Sequence, residues 1–131
     1  MMLLLQLLWL AIPVIASGLV HLVVLKLDLL PGLRVQPIDG GATFRGKRVL
    51  GDNKTWRGAL VTITTMTITA WVLAQVHACC WHLPTLAPFA ETHPWLWGVL
   101  LGTGYIVGEL PNSFAKRQLA IAPGAAGQGA A

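Results

Sequence analysis

Two short polar segments interrupt an otherwise lipid-soluble sequence and carry residues that could do chemistry. The first, at 51–58, reads GDNKTWRG, and the second, at 108–117, reads GELPNSFAKR. Each combines cations with a carboxylate and a hydroxyl, the groups that hold phosphates and divalent metals in proteins. A membrane helix does not itself require so polar a loop, so the pattern indicates chemistry on a charged group carried by a lipid.

The first segment is predicted to form a phosphate cradle at the start of a membrane helix. If that helix begins within the segment, Lys54 and Arg57 lie at the positive end of its dipole with only Asp52 nearby to offset them, at a cost of about 0.3 to 1 kcal/mol each. A bound anion would reverse the sign of this energy. The amides of the first turn, the Thr55 hydroxyl and the close backbone approach that Gly58 allows would complete the cradle.

The second segment is predicted to hold a metal ion and further phosphate. Glu109 lies near the C-terminal, negative end of a span, where a carboxylate is unfavourable unless a cation binds it. Magnesium prefers oxygen ligands and keeps substrate phosphates in its shell, so Glu109 with Asn112 or Ser113 would suffice. Pro111 is expected to break the helix. A new turn after that break would place a hydroxyl and two cations on one face: Ser113, Lys116 and Arg117.

Topology alone is the competing explanation for the basic residues, because such residues flank membrane helices routinely. This explanation is favoured for the more distant cations of the first loop, which are Arg34, Arg45, Lys47 and Arg48. It does not account for Glu109 or for the hydroxyls. We therefore favour a binding site over topology for the two polar segments.

Three further features have both a structural and a functional interpretation. Asp39, in the sequence PIDGG, either makes a turn or supplies a second carboxylate for metal or sugar. His21 lies inside the first span, where an ionisable residue is a functional candidate and a neutral, hydrogen-bonded histidine is the simpler alternative. Cys79 and Cys80 are assigned to packing at the membrane interface, since their spacing from His77 and His82 matches none of the usual zinc patterns.

The apolar stretches that must position these residues predict an all-α integral membrane protein. Of the 131 residues, 55% are apolar and 11% charged, which is too apolar for a soluble domain of this size. About 20 apolar residues cross a bilayer. We expect a single membrane domain over 1–131 with about three spans, at about 1–25, 58–80 and 95–110. A cleavable signal peptide is disfavoured because no basic residue precedes the first apolar run.

The basic residues also predict the orientation of the chain. They concentrate in the loop at 26–57 and the tail at 111–131, whereas 81–94 contains no Lys or Arg. The positive-inside rule puts the loop and the tail in the cytoplasm and the N-terminus outside. Both polar segments then lie on the cytoplasmic face of the cytoplasmic membrane, as a joint site requires.

The order of these motifs resembles that of the CDP-archaeol synthase family and, more distantly, of the CTP:phosphatidate cytidylyltransferases. The resemblance runs from about Leu30 to Gly124. It is carried by Leu30-Pro31, PIDGG at 37–41, GDNKTWRG, GELPNSF-x-KR and Ile121-Ala122-Pro123-Gly124. It implies a membrane enzyme that uses Mg²⁺ and CTP to convert a lipid glycerol phosphate into a CDP-lipid, with release of pyrophosphate.

The resemblance also implies roles for the site residues and a set of partners. The expected catalytic residues are Lys54, Lys116 and Arg117. The expected substrate and phosphate ligands are Asp52, Thr55, Arg57, Asn112 and Ser113, and the expected metal ligands are Glu109 and Asp39. Catalysis would rest on positioning and charge neutralisation without a side-chain nucleophile. The partners would be CTP, a lipid glycerol phosphate and the membrane, with no nucleic acid and with a second copy or a completing subunit.

One departure from the family pattern bears on activity. Members continue past the Ile-x-Pro-Gly segment into an acidic Asp-Gln-x-Asp stretch, whereas this sequence reads AAGQGAA at 125–131. We therefore expect a C-terminally shortened member. The alternative is a non-catalytic membrane protein that keeps the phosphate cradle and binds anionic lipid or nucleotide. Side chains facing lipid tails do not indicate whether the lipid has isoprenoid ether or acyl ester chains.

Overall fold

Three long helices dominate residues 1–80 and 92–121, which are the residues that the computed structural model describes. The elements are α1 (Met2–Lys26), α2 (Pro31–Arg34), β1 (Thr43–Phe44), β2 (Lys47–Arg48), α3 (Trp56–Cys80) and α4 (Pro94–Gln118). Helix α3 packs against both α1 and α4 and therefore lies between them. The predictions for 81–91, with His82, and for the tail from 122 onward lie outside the described residues.

Two of these helices are long and apolar enough to cross a membrane, namely α1 and Trp56–Cys79 of α3. Their bounds agree with the predicted spans at 1–25 and 58–80 to within two residues. Among the described helices, α4 does not meet the same requirement of composition, since glycine, proline and a polar C-terminal part interrupt its apolar sequence. The fold is thus consistent with a helical membrane protein, and the third span stays a prediction.

The predicted break at Pro111 is wrong, because α4 continues through this residue to Gln118. Proline removes one backbone hydrogen bond, a loss that a helix packed against neighbours can absorb. Glu109 therefore lies about 2.5 turns before the end of α4 rather than near its end. Its predicted conflict with the helix dipole is wrong for the same reason. Lys116 and Arg117 occupy the last turn instead, where the dipole favours cations.

The polar loop between α1 and α3 contains a small hairpin, which the prediction of an all-α protein missed. Strands β1 and β2 pair in antiparallel fashion, with Phe44 opposite Lys47. The hairpin contacts the end of α4, where the Phe44 and Phe114 rings lie 5.9 Å apart and Lys47 Nζ donates to the Gln118 carbonyl at 2.6 Å. The hairpin thereby fixes the C-terminal part of α4 against the loop that precedes α3.

Glycine residues allow α4 to approach α3 closely. A Cβ atom added at Gly98 would lie 2.3 Å from the Cα of Thr67, and one added at Gly102 would lie 2.7 Å from the Cα of Ile63. Such distances leave no room for a side chain, so the two backbones are in direct contact. By contrast, a Cβ at Gly104 would have no atom within 4 Å from any other element among the described residues.

Replacing Gly98 with Ala should therefore destabilise the protein. The added methyl group meets backbone rather than a movable side chain, and overpacking of this kind typically costs about 1 to 3 kcal/mol. Thermal unfolding in detergent should show a lower Tm. Gly104→Ala is the matched control and should keep or slightly raise the Tm, because Ala is the better helix former by up to about 1 kcal/mol. Equal Tm values for the two variants would contradict the described contact.

Candidate functional site

A cavity of about 240 Å³ forms where the loop before α3 meets the C-terminal half of α4, and we call it the polar cavity. Its lining residues are Gly51, Asn53, Lys54, Glu109, Asn112, Ser113, Lys116 and Arg117. Six of the ten predicted site residues are among them: Lys54, Glu109, Asn112, Ser113, Lys116 and Arg117. The structure thus brings together the two polar segments, whose nearest ends, Gly58 and Gly108, are 50 positions apart in sequence.

Backbone hydrogen bonds hold the Lys54 side of the polar cavity in place. The amide of Ile38 donates to the Lys54 carbonyl at 2.8 Å, and the amide of Trp56 donates to the Gln36 carbonyl at 3.0 Å. The amide of Lys54 itself donates to the Gly51 carbonyl at 2.9 Å and closes a turn. Lys54 is therefore fixed on both sides, immediately before α3 begins.

The α4 side of the polar cavity is one face of a continuous helix. Its residues follow the spacing i, i+3, i+4, i+7 and i+8 along the chain: Glu109, Asn112, Ser113, Lys116 and Arg117. This spacing places all of them on one side of a helix. The unbroken course of α4 through Pro111 therefore puts the carboxylate on the same face as the hydroxyl and the cations.

An ion pair joins the two sides of the polar cavity. Lys54 Nζ donates to a carboxylate oxygen of Glu109, and the two side chains are 23% and 38% exposed. The pair offsets the charge of each residue at the edge of the apolar helices, where an unpaired charge is costly. The sequence did not predict this partner for Lys54.

Two cations on α4 remain available to a ligand. The Nε atom of Arg117 is buried and has no hydrogen-bond partner among residues 1–80 and 92–121. The Lys116 side chain likewise makes no ion pair within the described part of the chain. An orphaned buried donor beside a second cation is the arrangement that a phosphate oxygen would satisfy.

Arg57 does not line the polar cavity. From the sequence, Asp52 was the only carboxylate expected near enough to offset the positive charge of Arg57. That expectation is wrong. Arg57 is buried, and its Nη1 donates to the Asp28 carboxylate at 2.8 Å and to the Leu29 carbonyl at 3.2 Å. The hydrogen bond from Arg57, together with the nearby charge of Arg34, lowers the pKa of the Asp28 carboxyl. Arg57 therefore ties the end of α1 to the start of α3.

Asp39 and Asp52 also lie outside the lining of the polar cavity. The Asp39 carboxylate accepts hydrogen bonds from the amides of Gly41 at 3.0 Å and Leu50 at 2.8 Å and from Arg48 at 3.0 Å. Burial alone would raise the pKa of Asp39, but these three donors together lower it. Asp52 is mostly exposed and pairs with Arg48 at 2.6 Å. Asp39 thus serves the turn, which was one of its two predicted roles.

The oxygen donors of the polar cavity fit a magnesium ion that also binds substrate. No group of three or more His, Cys, Asp or Glu residues that could hold a metal occurs in 1–80 or 92–121. Magnesium does not need one, because it binds through one or two carboxylates and completes its shell with water and phosphate. Glu109 supplies the carboxylate, and Asn112 and Ser113 supply neutral oxygens on the same face of α4.

A second cavity, of about 170 Å³, lies deeper between α1, α3 and α4, and we call it the interhelical cavity. It shares Asn53, Lys54 and Glu109 with the polar cavity, so the ion pair lies between the two spaces. Thr55, predicted to bind phosphate, lines the interhelical cavity only, together with His21. Asn53 received no role from the sequence, although its position inside GDNKTWRG was a signal.

Comparison with known proteins shows the family of the chain. The family model for CDP-archaeol synthase, of the CarS-like type, matches residues 1–128. The chain belongs to the CDP-archaeol synthase family. The resemblance inferred from the motifs is thereby confirmed. No solved structure matches the chain.

Several curated members of the family are similar to the chain. The CDP-archaeol synthase of Pyrococcus furiosus is 37% identical over 89 residues, which are 67% of this chain and 48% of the relative. That of Methanosphaerula palustris is 34% identical over 91 residues, 69% of this chain and 52% of the relative. That of Halorubrum lacusprofundi is 38% identical over 96 residues, which are 70% of this chain and 49% of the relative. The chain spans about half the length of these relatives.

Replacing Asp39 with Asn should destabilise the loop before α3. The change weakens charge-assisted hydrogen bonds, which contribute about 1.5 to 3 kcal/mol each. Because the folded pKa of Asp39 is lowered, its stabilisation is present above the unfolded pKa of about 3.9 and is lost as the pH falls through the folded value. Thermal unfolding measured at several pH values should therefore show that the Tm of the variant falls less on acidification than the Tm of the wild type. Asp52→Asn, at an exposed pair, should change stability by about 1 kcal/mol or less; equal losses in both variants would refute the assignment.

Proposed function

We propose that the chain catalyses CTP-dependent cytidylyl transfer to a lipid glycerol phosphate and so makes a CDP-lipid and pyrophosphate. The observation that carries the proposal is the polar cavity, which gathers Lys54, Lys116 and Arg117 around Glu109 at the edge of the long apolar helices. Membership of the CDP-archaeol synthase family supports it, since the curated relatives bear that name. The proposed nucleotide is CTP, and the proposed acceptor is the phosphate of a membrane lipid.

The reaction is a substitution at phosphorus. A phosphate oxygen of the lipid attacks the α-phosphorus of CTP and forms a new P–O bond. The bond from the α-phosphorus to the oxygen that bridges to the β-phosphorus breaks, and pyrophosphate leaves with its electron pair. Both reactants are anions, so their repulsion is the main obstacle to the reaction. Catalysis therefore requires positioning and neutralisation of charge, and no covalent enzyme intermediate is needed.

The residues of the polar cavity supply that neutralisation. Lys116 and Arg117, in the last turn of α4, face the space where the triphosphate would lie. The Ser113 hydroxyl, one turn earlier on the same face, can donate to a phosphate oxygen. Lys54 holds Glu109 in the described structure and reaches both cavities, so a rotation of its side chain would bring its charge to either phosphate. Lys116, Arg117 and Lys54 would thus surround the reacting groups.

Magnesium is the proposed cofactor. Glu109, with Asn112 and Ser113, would hold the ion, which supplies Lewis-acid neutralisation of charge on the transferred phosphate. The predicted second carboxylate, Asp39, is engaged with Arg48 and with the backbone of its own loop. We therefore assign the metal to Glu109 and leave Asp39 a structural role in this proposal.

The proposed topology has three spans, with the N-terminus outside and the polar cavity on the cytoplasmic face of the cytoplasmic membrane. The close packing of Gly98 and Gly102 on α3 supports α4 as the third span, because it aligns α4 with a helix of membrane length. The basic residues around the polar cavity support the cytoplasmic assignment. A second copy or a completing subunit stays a prediction. No feature of the described residues favours the non-catalytic alternative.

The direct test is product formation by the purified protein in lipid. With CTP, Mg²⁺ and archaeol phosphate or phosphatidic acid, we expect pyrophosphate and a CDP-lipid, and the preferred lipid identifies the chain type. Lys54→Ala and Lys116→Ala should each lower kcat/KM by about 100-fold or more, because each removes a charge that stabilises the transition state. Lys26→Ala, an exposed lysine at the end of α1, is the matched control and should retain activity. Failure to form product with any lipid, alongside retained CTP binding, would refute the enzyme proposal.

Replacing Glu109 with Gln should weaken magnesium binding more than nucleotide binding. The variant keeps the size of the side chain and loses the negative charge, so half-maximal activity should require about 10-fold more Mg²⁺. The measurement is a magnesium titration of product formation at saturating CTP, with Asp52→Asn as the control carboxylate. An unchanged magnesium requirement in Glu109→Gln would exclude Glu109 as the metal ligand.

A further inference from the structure

His21 presents an unsatisfied polar atom to the interhelical cavity. It projects from α1 and is one of the residues that line this space. Its Nδ1 atom is buried and has no hydrogen-bond partner among residues 1–80 and 92–121. A buried ring nitrogen without a partner is costly, and a bound group that satisfies it would recover that cost. From the sequence, His21 could be either a functional residue or a structural histidine held by a hydrogen bond. Among the described residues no such hydrogen bond to Nδ1 is present.

The place of the imidazole is set by Gly58, the last residue of GDNKTWRG. A Cβ atom added at Gly58 would lie 3.1 Å from the Cε1 of His21, closer than ordinary contact allows. Gly58 was predicted to give phosphate close access to the backbone, which stays a prediction, and in the described structure its lack of a side chain leaves room for this ring. The ring is therefore held between α1 and α3, which fixes it at the wall of the cavity.

The remaining wall of the interhelical cavity suits an anion attached to an apolar body. Arg57, Lys54 and Glu109 are close enough to His21 to act on it electrostatically. In the described structure Arg57 is paired with Asp28 and Lys54 with Glu109. The rest of the lining includes four apolar side chains, Ile38, Ala59, Ile106 and Leu110, and four hydroxyl groups that can donate to an anion, those of Ser17, Thr55, Thr62 and Tyr105. The polar cavity, by comparison, is lined by cations, amides, a hydroxyl and the Glu109 carboxylate, and among the described residues it has no apolar side chain in its lining. The two spaces therefore suit different halves of a lipid–nucleotide reaction.

We propose that His21 binds the phosphate of the lipid substrate in the interhelical cavity, an inference that rests on the proposed function. The triphosphate of CTP would occupy the polar cavity, and the two phosphates would meet at the Lys54–Glu109 pair that both spaces share. His21 is then a specificity-determining residue for the lipid phosphate, with a hydrogen bond from the ring to a phosphate oxygen. The first helix of the chain thereby contributes to the site as well as to the membrane anchor.

Three variants test this role. His21→Leu removes both ring nitrogens, and His21→Asn keeps a hydrogen-bonding atom near the place of Nδ1. Leu22→Ala is the control on the same helix, since the Leu22 side chain is 63% exposed and points away from the cavity. We expect His21→Leu to raise the KM for archaeol phosphate or phosphatidic acid by about 10-fold or more, because a hydrogen bond to a charged group is lost. The KM for CTP should stay within about 2-fold of the wild-type value, and His21→Asn should recover most of the loss.

A packing role for His21 gives a different result. If the ring only fills space over Gly58, then His21→Leu and His21→Asn should lower the Tm and alter the KM values for lipid and CTP alike. Equal effects on both substrates, or no recovery in His21→Asn, would overturn the inference.

A binding measurement separates this inference from the proposed function. Wild-type protein that forms no CDP-lipid refutes the function. The same protein can then be heated in micelles that contain phosphatidic acid or, as the neutral counterpart, diacylglycerol. A rise in Tm that is specific for phosphatidic acid and is lost in His21→Leu supports the phosphate contact, because a ligand bound to the folded state stabilises it. An equal rise in wild type and His21→Leu rejects the contact, whatever the outcome of the turnover assay.

Discussion

The ion pair between Lys54 and Glu109 connects the loop before α3 with the middle of α4, and both cavities share it. Charges at the edge of apolar helices are costly when unpaired, so this contact determines how the two polar segments meet. It depends on the close approach of α3 and α4 at Gly98 and Gly102, because a wider helix spacing would separate the partners. The same pair that stabilises the described arrangement thus holds at one place the cation that we propose for phosphate and the carboxylate that we propose for metal.

The remaining charges divide between structure and chemistry. Arg57 and Arg48 are committed to Asp28 and Asp39, and these pairs fix the end of α1 and the loop around the hairpin. Lys116 and Arg117 stay at the wall of the polar cavity, and the buried Nε of Arg117 has no partner in the described part of the chain. Arg48 and Arg57, paired with carboxylates outside the polar cavity, therefore build the scaffold, while Lys116 and Arg117 line the polar cavity. Lys54 and Arg57 are neighbours in one motif but differ in position, because Lys54 pairs with Glu109 at the cavity wall and Arg57 pairs with Asp28 away from it.

Local patterns in the sequence predicted local structure well. The ends of α1 and α3 follow from the lengths of the apolar runs, and the turn at Asp39 follows from the glycines after it. The pairing of Arg57 with Asp28 could not be predicted, because 29 residues separate them and their approach depends on how α1 packs on α3. The predicted helix break at Pro111 was wrong for a similar reason, since tertiary contacts decide whether a helix continues through a proline. The family pattern grouped Lys54 with Lys116 and Arg117, but only the three-dimensional arrangement shows that Lys54 and Glu109 are partners.

If Lys54 and Glu109 have separate chemical tasks in addition to their mutual attraction, exchanging their charges should separate stability from activity. In Lys54→Glu combined with Glu109→Lys, the attraction is retained while the cation and the carboxylate change places. We expect each single reversal to lower the Tm, and we expect the double variant to recover much of the Tm without recovering CDP-lipid formation. Recovery of both the Tm and the product in the double variant would show that the pair is only structural and would refute separate tasks for Lys54 and Glu109.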